Sequence, residues 1–264
     1  ILFQDNFNTL SIAGPSNPTG NWQPDDFSWQ SETQGYQDFA GTNWNLNPND
    51  PTTSPYTAFT VSSGILTISS FRTPAAIDSA IATEKANQGV SGGVPAWCGG
   101  MMVSRLSFTE GYYEIRAQWP NSGKGMFPAL WLYAAPVTPD NKGGAEIDVL
   151  EMFGAPNTIN TGLHMLYNNN TGSNVALGSQ TIDTTQWHTF GLDRQPGWLR
   201  FYLDGTLIYQ VTGANASWYT GVPMCVRMNY AMDAPWFGSL LSDSTTPSPL
   251  LMNVDYVTIW ATKP

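Results

Sequence analysis

Short runs of β-branched and aromatic residues recur along this chain between clusters of Gly, Pro, Asn and Asp. That punctuation leaves almost no room for helix and predicts an all-β protein. The runs are Phe59–Val61, Ile65–Ser69, Met101–Ser104, Gly111–Gln118, Ala129–Leu132 and Ile147–Met152, then Thr161–Met165, His188–Asp193, Leu199–Leu203, Thr206–Tyr209, Cys225–Tyr230 and Met252–Ala261. Asp204-Gly205, between two of them, has the composition of a two-residue hairpin turn. Only Ala75 to Asn87 reads as helix. A dozen antiparallel strands in 264 residues predict two sheets packed face to face in one large domain. The polar stretches Asn43 to Pro55 and Ser242 to Pro249 read as long surface loops.

One run carries chemistry. Gly144-Ala145-Glu146-Ile147-Asp148-Val149-Leu150-Glu151-Met152-Phe153-Gly154 sets three carboxylates within six residues, in a chain only 11% charged. Strand alternation puts Glu146 and Asp148 on one face and Ile147 and Val149 on the other. Strict alternation with Leu150 present turns Glu151 to the wrong face, and a β-bulge at Val149-Leu150 restores it. Neighbouring like charges repel and acids are poor strand formers, so a merely solvated strand is the weaker reading. A calcium site is the other functional option, although a regular strand wraps a cation poorly. Paired carboxylates are what cleavage of a glycosidic bond requires. With carboxyl groups about 5–5.5 Å apart the reaction retains configuration, so the two glutamates must lean inward over Asp148. Crowded carboxyls do not ionise together, which predicts a bell-shaped pH profile, with an acidic optimum expected.

Glu-Ile-Asp-Val-Leu-Glu resembles the bulged Glu-x-Asp-x-x-Glu signature of glycoside hydrolase family 16, in its laminarinase-like branch. Other segments resemble the family in family order: Gly111-Tyr112-Tyr113-Glu114-Ile115-Arg116-Ala117, Phe127-Pro128-Ala129-Leu130-Trp131-Leu132, Thr161-Gly162-Leu163-His164, Trp187-His188-Thr189-Phe190, Phe201-Tyr202-Leu203-Asp204-Gly205 and Val254-Asp255-Tyr256-Val257. The resemblance implies one catalytic domain over residues 1–264, a jelly-roll β-sandwich of two curved antiparallel sheets with a concave substrate cleft. It implies Glu146 as nucleophile, Glu151 as acid and then base, and Asp148 as the residue assisting them. Trp131, Trp236, His164 and Asn229 match cleft positions, and Trp97, Trp119 and Tyr230 are further cleft candidates, while Trp187, Trp198, Trp260 and His188 read as structural. Asp255 resembles a ligand for a structural calcium on the convex face; catalysis itself needs no cofactor. Phe127 stands where tryptophan is common, and Met101 where many β-1,3-glucan enzymes carry arginine.

The formal net charge of −10 speaks against nucleic acid and anionic membranes as partners, and against heavily sulfated polymers. No apolar run is long enough to span a membrane. The expected substrate is neutral β-1,3- or mixed β-1,3/1,4-glucan, cut internally by a secreted, monomeric enzyme, since a polymer is cut outside the cell. A bacterial exopolysaccharide or an agar-type galactan is the alternative substrate, a lectin-like binding domain the alternative class, and a transglycosylase the alternative reaction. The intact triplet argues against the lectin and Leu150 against the transglycosylase. Cys98 and Cys225 form either one disulfide or two buried thiols. Asn169-Asn170-Thr171 and Asn215-Ala216-Ser217 match the glycosylation sequon.

Overall fold

The computed structural model describes residues 1–24, 34–38, 40–134, 144–166 and 172–264, so the first of the two sequons lies outside the described residues. Its strands are β1 (Phe3–Asp5), β2 (Trp22–Gln23), β3 (Tyr36–Gln37), β4 (Asn43–Asn45), β5 (Phe59–Ser62), β6 (Ile65–Arg72), β7 (Trp97–Ser104), β8 (Gly111–Gln118) and β9 (Met126–Ala134). Then follow β10 (Gly144–Glu151), β11 (Thr158–Leu166), β12 (Gly172–Thr181), β13 (His188–Gln195), β14 (Trp198–Leu203), β15 (Thr206–Thr212), β16 (Met224–Met232) and β17 (Leu250–Trp260). The helices are α1 (Asp78–Asn87) and α2 (Gly213–Ser217), with 3-10 turns at Ala75–Ile77 and Pro235–Leu240.

Two antiparallel sheets result. One runs β12-β11-β10-β9-β16-β7, with β2 at its edge. The other runs β5-β6-β17-β8-β13-β14-β15, with β1 beside β17. A short pairing of β6 with β7 stitches the sheets together. The core lies between them: Leu130, Leu132, Ile147, Leu163 and Met228 from the first sheet meet Ile115, Phe190, Leu192, Val254 and Val257 from the second. Each such side chain stabilises by about 1.5–3 kcal/mol when fully buried.

The strand pattern gives this outcome because alternation holds on the strands that matter. Leu130 and Leu132 of β9 enter the core, and Ala129, Trp131 and Tyr133 face a cavity on the opposite side. Met228, Tyr230 and Met232 of β16 do the same against Arg227, Asn229 and Ala231. The Asp204-Gly205 turn closes the β14–β15 hairpin, both residues at positive φ (49° and 76°), the conformation a type I′ turn demands.

Two expectations change. The stretch read as a surface loop from Asn43 holds β4, whose Trp44 is wholly buried with Leu46 beside Cys98, Ile77 and Ile81. β4 runs parallel to β7, a long-range pairing that its Asn-Trp-Asn sequence does not announce. β12 carries no strand signal of its own: Gly-Ser-Asn-Val-Ala-Leu-Gly-Ser-Gln-Thr has only Val175 and Thr181 as strand formers among Gly, Ser and Asn, and pairing to β11 makes it a strand. Cys98 and Cys225 are buried, unbridged, and sit in separate apolar clusters. Among the described residues, no helix is long and apolar enough to cross a membrane.

Candidate active site

The bulge lies where alternation requires it. Against β9, Asp148 pairs with Trp131 and Leu150 with Leu130; against β11, the register slips between Asp148 and Glu151. Val149 and Leu150 both enter the core, and Glu146, Asp148 and Glu151 line one cavity. The buried Thr161 hydroxyl donates to the Val149 carbonyl at 3.2 Å, supplying a partner to a bulge carbonyl. Opposite Asp148 stands Gly162, where a Cβ would come within 3.4 Å of the Asp148 Oδ2 atom.

His164, on β11 facing Glu146, completes the set. Its Nε2 lies 3.0 Å from Asp148 Oδ2 and 3.7 Å from Glu146 Oε1, and its Nδ1 lies 2.8 Å from Asn174 Oδ1. Both ring nitrogens face acceptors, which favours the imidazolium. The hydrogen bond to Asp148 leads the causes that push His164 up to about 9. The carboxyls move up as well. Burial, then repulsion from Asp148, lifts Glu146 to about 8, while His164 and Arg227 draw it down. Burial, then repulsion from Asp148 and Glu146, raises Glu151 well above its ordinary value, with only His164 opposing. Burial also raises Asp148. Two cations, His164 and Arg227, favour the ionised form of Glu146, and one, His164, that of Glu151.

The cavity has a volume of about 800 Å³. Trp131, its indole N–H donating to Asn229 Oδ1 at 2.6 Å, forms part of the floor. The Arg227 guanidinium lies over Trp131 and Tyr133, 4.8 and 4.6 Å from the ring centroids. Trp236 stands on the rim, 56% exposed, its ring edge-on to Phe127. Met101 and Phe127 line the cavity too.

Trp131, Trp236, His164 and Asn229 therefore gather around the acids. Trp97, Trp119 and Tyr230 do not, and the expectation for them is corrected. All three are at most 1% exposed and belong to the core. Tyr230 has the opposite strand parity to Asn229, and Trp119 packs edge-on against Phe190. Asp255, expected as a calcium ligand, pairs instead with Arg116, a cation that competes for the same carboxylate, so its surroundings among the described residues do not fit a resident calcium. Among the described residues, a donor set able to hold a metal is Glu146, Asp148 and His164, one atom from each lying within 4.8 Å of the others.

The cavity also gathers residues that sequence reasoning missed: Tyr36, Gln37, Asp38, Asn45, Tyr133, Phe153, Asn174 and Arg227. Tyr133, Phe153 and Arg227 each stand two positions from a residue already singled out, so alternation could have found them. The others arrive through long-range pairing and carry no local signal.

The sequence profile described as Glycosyl hydrolases family 16 matches residues 70–258. An endo-1,3-1,4-beta-glycanase of Rhizobium meliloti is 31% identical over 195 residues, covering 72% of this chain and 37% of that protein. A keratan-sulfate endo-1,4-beta-galactosidase of Sphingobacterium multivorum is 29% identical over 170 residues, 60% of this chain and 38% of that protein. The chain thus spans a little over a third of the length of these relatives. In fold it is similar to the laminarinase catalytic domain from Thermotoga maritima, with a TM-score of 0.72 at 18% identity over 100% of this chain and 98% of that one. The curved jelly-roll sandwich is common to both. The bulged acid triplet lies inside the matched stretch, on the cleft face of this sandwich, and the chain belongs to glycosyl hydrolase family 16.

Proposed function

We propose that this chain is a retaining endo-glycosidase that hydrolyses neutral β-1,3- or mixed β-1,3/1,4-glucan. The observation that carries the reading is the convergence of Glu146, Asp148 and Glu151 on one cleft face, with more positive charge around Glu146 than around Glu151. Glu146, ionised first, attacks the anomeric carbon; the C–O bond to the leaving sugar breaks as Glu151 gives that oxygen its proton. Water then adds to the same carbon, Glu151 takes the water's proton, and Glu146 leaves as carboxylate. Asp148, tied to His164, holds charge between them and keeps Glu151 protonated until the glycosyl-enzyme forms.

Four carboxyl groups line the cleft; Glu151 holds its proton and burial lifts Asp38 to about 6, so the cationic Arg227 and His164 leave little net charge there. That balance favours a neutral polymer, and the Rhizobium relative, an endo-1,3-1,4-beta-glycanase, supports the linkage. Trp131 and Trp236 offer faces on which sugar rings stack. We assign the reaction to a monomer outside the cell, where a polymer too large to enter is met.

The test is chromatography of products from laminarin, barley mixed-linkage glucan, agarose, carrageenan and a bacterial exopolysaccharide. An oligosaccharide ladder from laminarin or barley glucan is expected, with none from carrageenan. Cutting of agarose or the exopolysaccharide alone would overturn the substrate assignment, and binding without any product would overturn the enzyme.

A further inference from the structure

The cleft wall formed by β3 and β4 lies outside the stretch matched by the family, which begins at residue 70. Tyr36 of this wall packs with Met101, Val103, Cys225 and Trp131, so the segment overhangs the cleft floor. Gln37, Asp38 and Asn45 line the cavity.

Asp38 is held with one oxygen occupied. Its Oδ1 accepts from the backbone N–H groups of Thr42 at 2.9 Å and Asn43 at 3.1 Å. Its Oδ2 has a 3.5 Å contact with the Thr42 hydroxyl, whose single proton goes to the Met232 carbonyl at 2.7 Å. The nearby Gly41 N–H is spent on the Asp38 carbonyl at 3.0 Å, so among the described residues Oδ2 is left short of donors, and burial lifts the group to about 6; a carboxylate oxygen facing a cleft seeks a donor.

The wall is clamped from behind by α1, through groups the chemistry does not use. Glu84 Oε2 accepts from the Gly35 N–H at 3.2 Å, and the Gln88 side-chain amide donates to the Gly35 carbonyl at 2.8 Å. Lys85 donates to Gln37 Oε1. Glu84 and Lys85 are each 3% exposed, an unusual burial for charged groups on a surface helix.

We infer that Asp38, with Gln37 and Asn45, forms a sugar-hydroxyl subsite that selects neutral rings, and that Lys85 and Glu84 are positioning residues for it. The carboxylate accepts from hydroxyls of a pyranose, the amides both donate and accept, and a ring bearing carboxylate or sulfate is repelled. This rests on the glycanase reading above and names the part of the cleft that sets substrate class.

Asp38→Asn keeps the shape and the Oδ1 acceptor but removes the charge. On the polymer the unaltered chain cuts, KM is expected to rise about tenfold with kcat within about twofold, and the cleavage pattern of a linear oligosaccharide series to shift. Lys85→Met should move the same quantities in the same direction, by less. Titration of an oligosaccharide into the Glu146→Gln protein, with and without Asp38→Asn, should give the same tenfold loss in affinity. Unchanged KM, affinity and cleavage pattern in a folded Asp38→Asn protein, as judged by its melting curve, would overturn the subsite. If the unaltered chain cuts a different polymer from those named above, the glucan reading fails, and the same comparison on that polymer decides the subsite.

Discussion

At the residue scale, the site is a charge problem. Three carboxyls share one buried face; burial raises all three, His164 opposes that for each, and Arg227 for Glu146. Glu146→Gln is expected to lower turnover by about 10³ or more. Glu151→Ala should abolish cutting of polymer yet spare much of the rate on an activated aryl glycoside, whose leaving group needs no proton; equal damage to both substrates would remove Glu151 from the acid role. In the pH profile the rising limb is expected to be ionisation of Glu146 and the falling limb loss of the proton from Glu151. Burial raises both, so the optimum should lie nearer neutrality than the acidic value read from the sequence, and a measured optimum below the ordinary glutamate value of 4.5 would contradict that upward shift. The same shift governs stability. A carboxyl raised in the folded state contributes stability that is fully present below its unfolded value and is lost as pH rises through the raised one. Glu151→Gln, always neutral, should therefore melt a few degrees higher than the unaltered chain at pH 8, at about 2–4 °C per kcal/mol, with the gap closing near pH 4.

At the element scale, β10 is the determining piece. Its bulge lets two consecutive apolar residues, Val149 and Leu150, enter the core without turning Glu151 away from Asp148. The bulge in turn leans on β11 through the Thr161 hydroxyl. Thr161→Val keeps the volume and strands the Val149 carbonyl in an environment only 3% exposed at Thr161. A stability loss of about 1–3 kcal/mol is expected, along with a lower kcat and a nearly constant KM, because Glu151 loses its position rather than the cleft its shape. Denaturant unfolding and steady-state kinetics read the two effects separately. No change in either would mean that the β9 pairing alone holds the bulge.

At the scale of the whole molecule, the sandwich sorts aromatic residues into two populations. Trp119 and Trp97 lie between the sheets and Trp131 and Trp236 lie outside them, over the cleft. Trp119→Ala is expected to cost about 3–5 kcal/mol of stability, with KM of the folded fraction little changed. Trp131→Ala should do the reverse, raising KM several-fold at a smaller cost in stability. If Trp119→Ala instead raised KM at full stability, its assignment to the core would be wrong. The net charge of −10 acts at this scale as well, since a negative surface slows the approach of any polyanion.

The sequence by itself determined most of the strands, the hairpin at Asp204-Gly205 and the acid triplet with its bulge. Those properties are local: alternation, turn chemistry and crowding of charge act over a few residues. It could not separate Trp97, Trp119 and Tyr230 from Trp131, because burial of an aromatic depends on which sheet lies opposite. Nor could it foresee that Arg116 would meet Asp255, that Asn43–Asn45 would run beside β7, or that Asp38 would reach the cleft. These contacts join residues far apart in the chain, and only the tertiary structure brings them together, since nothing in their immediate sequence fixes the partner.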